Sequence, residues 1–549
     1  MNKITYTWCF MLVACFLWVI SCTMKQKADF ILLNANIYTV DNKNSVVDAM
    51  VVRDGRILET GRQEDLLRLY EPGRFINADG RYVYPGFIDA HCHFYGLALS
   101  YQWIDLAGSG SFDEVLKRVK EHTPSDTTTW VIARGWDQNL WPDKKFPDNK
   151  MLNKLFPQRP VVLIRIGGHI AVVNDEALRR TGLMASHQFS PDEVEIKNGR
   201  STGILRENAL DYVRNFIPKP DEHQLIGLLQ QAEFQCFSKG LTGVTDAGLE
   251  CHVIKLMGAT QHAGQLRIPI YAMLAPSQEN IREYISRGPI RGDRLSIRSI
   301  KLYADGSLGS RTALLTQPYA DDPGNNGVQV TSPDSIRKVA QIALDNDYQL
   351  CVHCIGDRAV REVLHIYGEF LHGKNDLRWR IEHAQVVDPV DIDWFNQYSI
   401  IPSVQATHAT SDMSWADNRL GAERIKWAYT YHDLLRQNGW LPNGTDFPIE
   451  KMDPLLTFYA AVARKDLSGN PPGGFQQKNA LSREEALKSI TIWASKADFD
   501  EQSSGSLDPG KWANFVILDL DILKVPLPEI PQTNVLYTFL RGEMVYDKE

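Results

Sequence analysis

From Ala28 onward, "ADFILLNANIYTV" and then "AMVVRDGRILETG" alternate apolar and polar residues. That period of two is the mark of a half-buried strand. The Asp54-Gly55 pair predicts a tight hairpin turn within the second stretch. Near the C-terminus, "GSLDPGKWANFVILDLD" and "VLYTFLRGEMVYD" have the same texture. Both chain ends are therefore expected to meet in one small β-sandwich. Between them the pattern changes to short apolar runs that end in polar, chemically capable residues. These runs are "VYPGFIDAHCH", "GLTGVTDAG", "IPIYAML", "IRSIKLYADGS", "YQLCVHCIGD", "RWRIEHAQ", "SIIPSVQATH" and "GWLPNGTDFP". Most precede a segment of helical pattern, such as "DSIRKVAQIALDND". Eight strand-then-helix units predict an α/β fold, a (β/α)8 TIM barrel whose strand ends form a mouth. A doubly wound open sheet also gathers ligands at strand ends, and strand counting alone does not separate the two.

The spacing sets expected boundaries. Residues 22–84 form the first part of the sandwich, 85–490 the barrel and 491–549 the returning part of the sandwich. The gap from about 94 to 239 is too long for one loop and helix, so it reads as an insertion over the mouth. Its segments "ARGWDQNLWPDKKFPDN", "VVLIRIGGHIAVVNDEAL" and "TGILRENAL" could line a pocket or simply pack.

Composition narrows the class. With 549 residues and 44% hydrophobic residues the chain can bury a large core. The formal net charge of -8 offers no basic face for nucleic acid. Residues 1–21 form an apolar leader with one early lysine, too short for an ordinary membrane span and typical of an export signal. Its end, "VISC", resembles the lipobox of bacterial lipoproteins, which implies cleavage before Cys22 and acylation of that residue. The expectation is an exported protein held by lipid alone, facing the periplasm; Thr23 rather than Asp after the cysteine points to the outer membrane. A plain signal peptide or a single-helix anchor is the other reading. Five cysteines remain in the body, an odd number, so packing rather than a disulfide framework should carry stability.

In "DAHCH", strand alternation turns His91 and His93 to one side and Cys92 to the other. A lone His-x-His is weak evidence, but later strand ends add Lys301, His353, His383 and Asp446. Imidazole and carboxylate suit zinc and related ions. In "CVHC", Cys351 should face inward below His353 and Cys354 the helices, which opposes a disulfide between them.

The order His-x-His, Lys, His, His, Asp resembles the amidohydrolase superfamily. "KLYADGSLGSRTA", "HCIGDRA", "RIEHAQ", "SVQATH" and "GTDFP" resemble more narrowly its family-3 branch, which includes formamide deformylase-like and exoenzyme regulatory-like proteins. The resemblance runs from about Ala28 to the C-terminus. It implies one or two divalent ions, zinc being expected. His91, His93 and Asp446 would hold one, His353 and His383 a second. Lys301 would bridge them as a carbamate, because an ammonium has no lone pair to give a cation. Metal-activated hydroxide would attack a small-molecule substrate, with Asp446 as general base and then acid, breaking a C–N bond in an amide, formamide or cyclic amide. His169 and His408 are candidates for substrate contact, as are Trp136, Asp137 and Glu207. The competing expectation is a lipid-anchored binding or regulatory protein that keeps this fold without turnover.

Overall fold

A computed structural model describes residues 25–123, 129–183, 189–190, 192–197, 199–218 and 220–548. The leader and Cys22 lie outside them. No helix among the described residues is long and apolar enough to cross a membrane.

Seven strands pair in parallel in chain order: β1 (Phe87–Cys92), β2 (Leu241–Leu249), β3 (Ile270–Leu274), β4 (Leu295–Tyr303), β5 (Gln349–Cys354), β6 (Arg380–His383) and β7 (Ile401–Ser403). The eighth predicted run is not a regular strand. Residues 440–447 instead bridge β7 and β1 through separate hydrogen bonds. Gly444 N–H donates to the Val404 carbonyl (2.9 Å), Asp446 N–H to the His91 carbonyl (2.8 Å), and His93 N–H to the Phe447 carbonyl (2.8 Å). Two prolines without N–H groups and an Asp446 φ of 60° prevent a continuous ladder here. Gly444 is required for the close approach. A Cβ there would lie 2.5 Å from His91 N and 2.7 Å from Asp89 Oδ1.

Alternation sorts the barrel strands. On β4, Ile300 and Leu302 join the large core shared with the helices, whereas Ser299 and Lys301 are buried on the opposite, inward side. Cys92 and Cys354 belong to the helix-side core, and Cys351 packs inside against Ala247 and Met273. All five body cysteines are free and buried. The N-terminal end of the barrel is plugged where the helix Ile492–Ala497 ends. There Asp498 accepts from Arg380 (2.7 Å) and Thr245 (2.7 Å), and Gln349 donates to the Ala497 carbonyl (3.1 Å). This leaves the opposite end, where β1, β5 and β6 deliver histidines, for chemistry.

The two chain ends share sheets. One sheet holds 56–61, 49–53, 26–33 and 70–77; a second joins 543–547, 535–540 and 515–518 to 82–85, 36–38 and 46–47. Phe30, Leu32, Val52, Val83, Phe515 and Phe539 fill the space between them. The predicted hairpin turn has Asp54 at φ 53° and Gly55 at φ 72°, the left-handed pair that a two-residue hairpin needs. The segment between β1 and β2 carries its own mixed sheet, from Ile104–Asp105 to Arg200–Arg206, with an apolar cluster on each face. The helices flanking that sheet, Phe94–Ser100 and Glu222–Ser238, pack in the barrel's helical layer.

Candidate metal and catalytic site

Asp446 is the hub of the mouth. Its Oδ1 lies 3.2 Å from His93 Nε2 and 3.6 Å from His91 Nε2, and its Oδ2 lies 3.6 Å from His408 Nε2. Two donor triads share this carboxylate: His91, His93 and Asp446, and His383, His408 and Asp446.

The rings are held from behind. His91 Nδ1 meets Glu382 Oε2 at 2.5 Å, His93 Nδ1 meets the Ala247 carbonyl at 3.2 Å, and His383 Nδ1 meets Gln405 Oε1 at 2.7 Å. An acceptor on Nδ1 requires N–H there, so in all three rings the lone pair is on Nε2. Burial pushes the His91 and His383 imidazoles below their ordinary value, which favours this neutral state. Burial pushes Asp446 up, but the cluster of His93, His91 and His383 around it outweighs that. The carboxyl stays well below the usual range and is ionised.

The backbone is distorted where the ligands turn in. His383 has φ 72° and Asp446 φ 60°. Arg380 and Glu382 already occupy the inward register on β6, so regular alternation would point His383 outward. The left-handed turn at the strand end brings it back. Non-glycine residues held this way cost on the order of 1–3 kcal/mol and cluster at functional sites.

Lys301 is fully buried, with Nζ 3.2 Å from His91 Nε2. Burial lowers its pKa, against the opposing charges of Glu382 and Asp446.

The second triad differs from the expected ligand pair. His408, read from the sequence as a substrate contact, stands beside His383 on Asp446. His353 belongs to neither triad. Its Nε2 donates to the Gly306 carbonyl (3.1 Å), and its ring centroid is 4.5 Å from that of His383. The long connection after β4 supplies that carbonyl. Buried Asp305 anchors this connection by accepting from the N–H groups of Leu314 (2.8 Å), Ile355 (3.0 Å) and Gly356 (2.8 Å).

The insertion contributes unevenly. His169 lies 6.3 Å from His353, ring to ring, and its Nδ1 pairs with Glu207 Oε2 at 3.0 Å. Asp137 pairs with Arg165 at 2.6 Å and caps the following turn. Trp136 corrects the expectation of a substrate contact. It is a core side chain stacked near Trp141, with its indole N–H donated to the Leu163 carbonyl (2.8 Å). Glu382, Gln405 and Asp305 were missed as candidates. The only sequence signal was a carboxylate or amide inside an otherwise apolar strand-end run.

The donor set fits a divalent cation. Asp446 Oδ1 and His408 Nε2 are sealed from solvent and lack a hydrogen-bond partner, which is the environment a bound ion would complete.

Comparison with known proteins agrees. Residues 74–546 match the amidohydrolase family. The chain is 30% identical over 520 residues to the putative amidohydrolase YtcJ of Bacillus subtilis, covering 93% of this chain and 98% of that protein. It is 24% identical over 548 residues to N-substituted formamide deformylase of Arthrobacter pascens, covering 96% and 99%. An uncharacterized metal-dependent hydrolase from Pyrococcus horikoshii superposes with a TM-score of 0.76 at 30% identity, over 91% of this chain and 99% of that one. The protein belongs to the amidohydrolase family, and its barrel mouth carries the histidine and carboxylate donors of a metal-dependent hydrolase.

Proposed function

We propose that the protein hydrolyses a C–N bond in a small-molecule amide, formamide or cyclic amide. The observation that carries this is the convergence of four histidines on the one buried carboxylate of Asp446. Similarity to a formamide deformylase supports the bond type.

His91, His93 and Asp446 would hold one divalent ion, with zinc the best match to the donors, and His383, His408 and Asp446 a second. His353 would join the second only through Nδ1, since Nε2 is engaged by Gly306. A bound ion supplies Lewis acidity, which polarises a carbonyl and acidifies water. Asp446, ionised and with its Oδ1 free of hydrogen-bond partners, accepts the proton of the attacking water and delivers it to the leaving nitrogen. Glu382, Ala247 and Gln405 fix the ring tautomers so that Nε2 faces the reaction. His169, held by Glu207, lies beside His353, where it can contact a bound substrate.

Lys301, if carbamylated, would be a further residue holding the metal. Its neutral amine would add carbon dioxide at carbon and release one proton, giving a carbamate whose oxygens can ligate. Its burial and its 3.2 Å approach to His91 Nε2 support this. Cys22 is proposed as the acylated residue that anchors the exported chain, on the strength of "VISC".

The test is elemental analysis of protein purified without chelators, followed by assay of the native protein and Asp446→Asn on a panel of amides and formamides. Bound metal with turnover that Asp446→Asn abolishes is the expected result. Protein free of metal, or metal-loaded protein inert on every C–N substrate, overturns the proposal.

A further inference from the structure

Arg134 lies on the insertion strand Val131–Trp136. Gly135, at φ 114°, sits in a bulge where the register against Val161–Arg165 shifts. The extra residue puts Trp136 on the face of Ala133 and leaves Arg134 on the face of Ile132, towards the helix Glu207–Arg214. Arg134 Nη2 donates to the Ile166 carbonyl at 3.2 Å, while Nε is sealed from solvent and has no partner. Among the described residues no carboxylate comes within ion-pair distance of it. By contrast Arg165, on the neighbouring strand, is neutralised by Asp137 at 2.6 Å and bonded to Gln138 at 2.8 Å.

A second guanidinium converges on the same place. Arg214 Nη2 donates to the Gly168 carbonyl at 2.5 Å, and its acidic partner, Asp211, is largely exposed. A Cβ built on Gly168 would lie 3.4 Å from Arg134 Nη2 and 3.9 Å from Arg214 Nη2. Both guanidinium groups therefore border Gly168, whose φ of 79° suits glycine. Burial and the charge of Arg214 lower the Arg134 pKa to about 10, while the charge of Asp446 opposes them. Gly168 precedes His169, whose ring is next to His353. Arg134 is partly buried with its Nε sealed, and an uncompensated cation so placed beside a second cation is disfavoured unless a ligand anion completes it.

We propose that Arg134, with Arg214 beside it, is the subsite for an anionic group on the substrate, so that the amide hydrolysed carries a carboxylate or a phosphate-like group. The proposal rests on the hydrolase reading above and deepens it. A guanidinium suits either anion, because both match its paired N–H donors.

The test uses three matched formamides on the native protein: N-formylglycine, N-formylaminomethylphosphonate and neutral N-ethylformamide. The same comparison is run on Arg134→Met and Arg134→Lys, with folding checked by circular dichroism. The expected result is a native preference for an anionic member, and a fall of roughly tenfold or more in the anionic-to-neutral ratio of kcat/KM in Arg134→Met, with a smaller fall in Arg134→Lys. Which anion shows the larger fall identifies carboxylate or phosphate. An unchanged ratio, or a native preference for the neutral formamide, overturns the proposal; if Arg134→Met does not fold, the Lys variant decides on the same criterion. Calorimetric binding of the non-hydrolysed sulfonamides methanesulfonylglycine and N-ethylmethanesulfonamide separates the two readings. Arg134-dependent preference for the anion without any turnover sinks the hydrolase reading and leaves the anion site standing. Turnover with no charge preference does the reverse.

Discussion

His91 and Glu382 meet through Nδ1 and Oε2 at 2.5 Å, with both side chains fully buried. Glu382 is held well ionised, its pKa lowered to about 2: burial pushes it up, but the contact with His91 and then the charge of Arg380 outweigh that. The carboxylate therefore fixes which nitrogen of His91 carries the proton, and Nε2 is left for a cation. Glu382→Gln keeps the shape and removes the charge. Metal affinity, measured by competition with a chromogenic chelator, should fall about 10–100-fold. Unchanged affinity would mean that the pair serves only the fold.

Asp446 faces both donor triads. Asp446→Asn should leave the far-ultraviolet circular dichroism unchanged and lower kcat by about 10²–10⁴-fold, the span expected when a positioned acid–base group is lost. A variant that keeps native kcat would assign proton transfer elsewhere.

Gly444 carries the barrel's closure. In Gly444→Ala the new methyl would collide with the His91 backbone and the Asp89 carboxylate, neither of which can step aside without opening the barrel. A loss of about 2–4 kcal/mol in urea unfolding is expected, together with lower metal occupancy. Native stability would show that 440–447 can shift without cost.

Cys92 lies between His91 and His93 but packs in the helix-side core, its thiol 3.3 Å from the Thr245 carbonyl. Cys92→Ala should cost about 1–2 kcal/mol of stability and retain the metal on elemental analysis. Loss of metal from folded protein would make the cysteine a ligand.

Cys22→Ser tests the anchor. The native protein is expected to sediment with membranes, and the variant to appear in the soluble fraction. Continued sedimentation after a salt wash would reject lipid attachment at that residue.

The periodic parts of the chain could be read without coordinates. Alternation in "DAHCH" separates His91 and His93 from Cys92, and the apolar runs before Lys301 and His353 mark β4 and β5. The Asp54-Gly55 hairpin needs only the left-handed tolerance of those two residues. Wherever backbone geometry repeats, residue order alone fixes the facing of a side chain.

Where that geometry breaks, only the tertiary structure decided. A left-handed φ returns His383 to the interior, and the bulge at Gly135 moves Trp136 from the face of Ile132 to the face of Ala133. His408 stands with His383 and Asp446 in the second donor group, while the Gly306 carbonyl, from a different loop, engages His353 Nε2. The eighth run closes the barrel without being a regular strand, held by hydrogen bonds to Val404 and, far earlier in the chain, to His91 and His93. These outcomes depend on which groups meet across the fold, and no local period encodes that meeting. The sequence determined the kinds of ligand and the strands that bear them; three-dimensional contact determined which nitrogen, which face and which neighbour each one has.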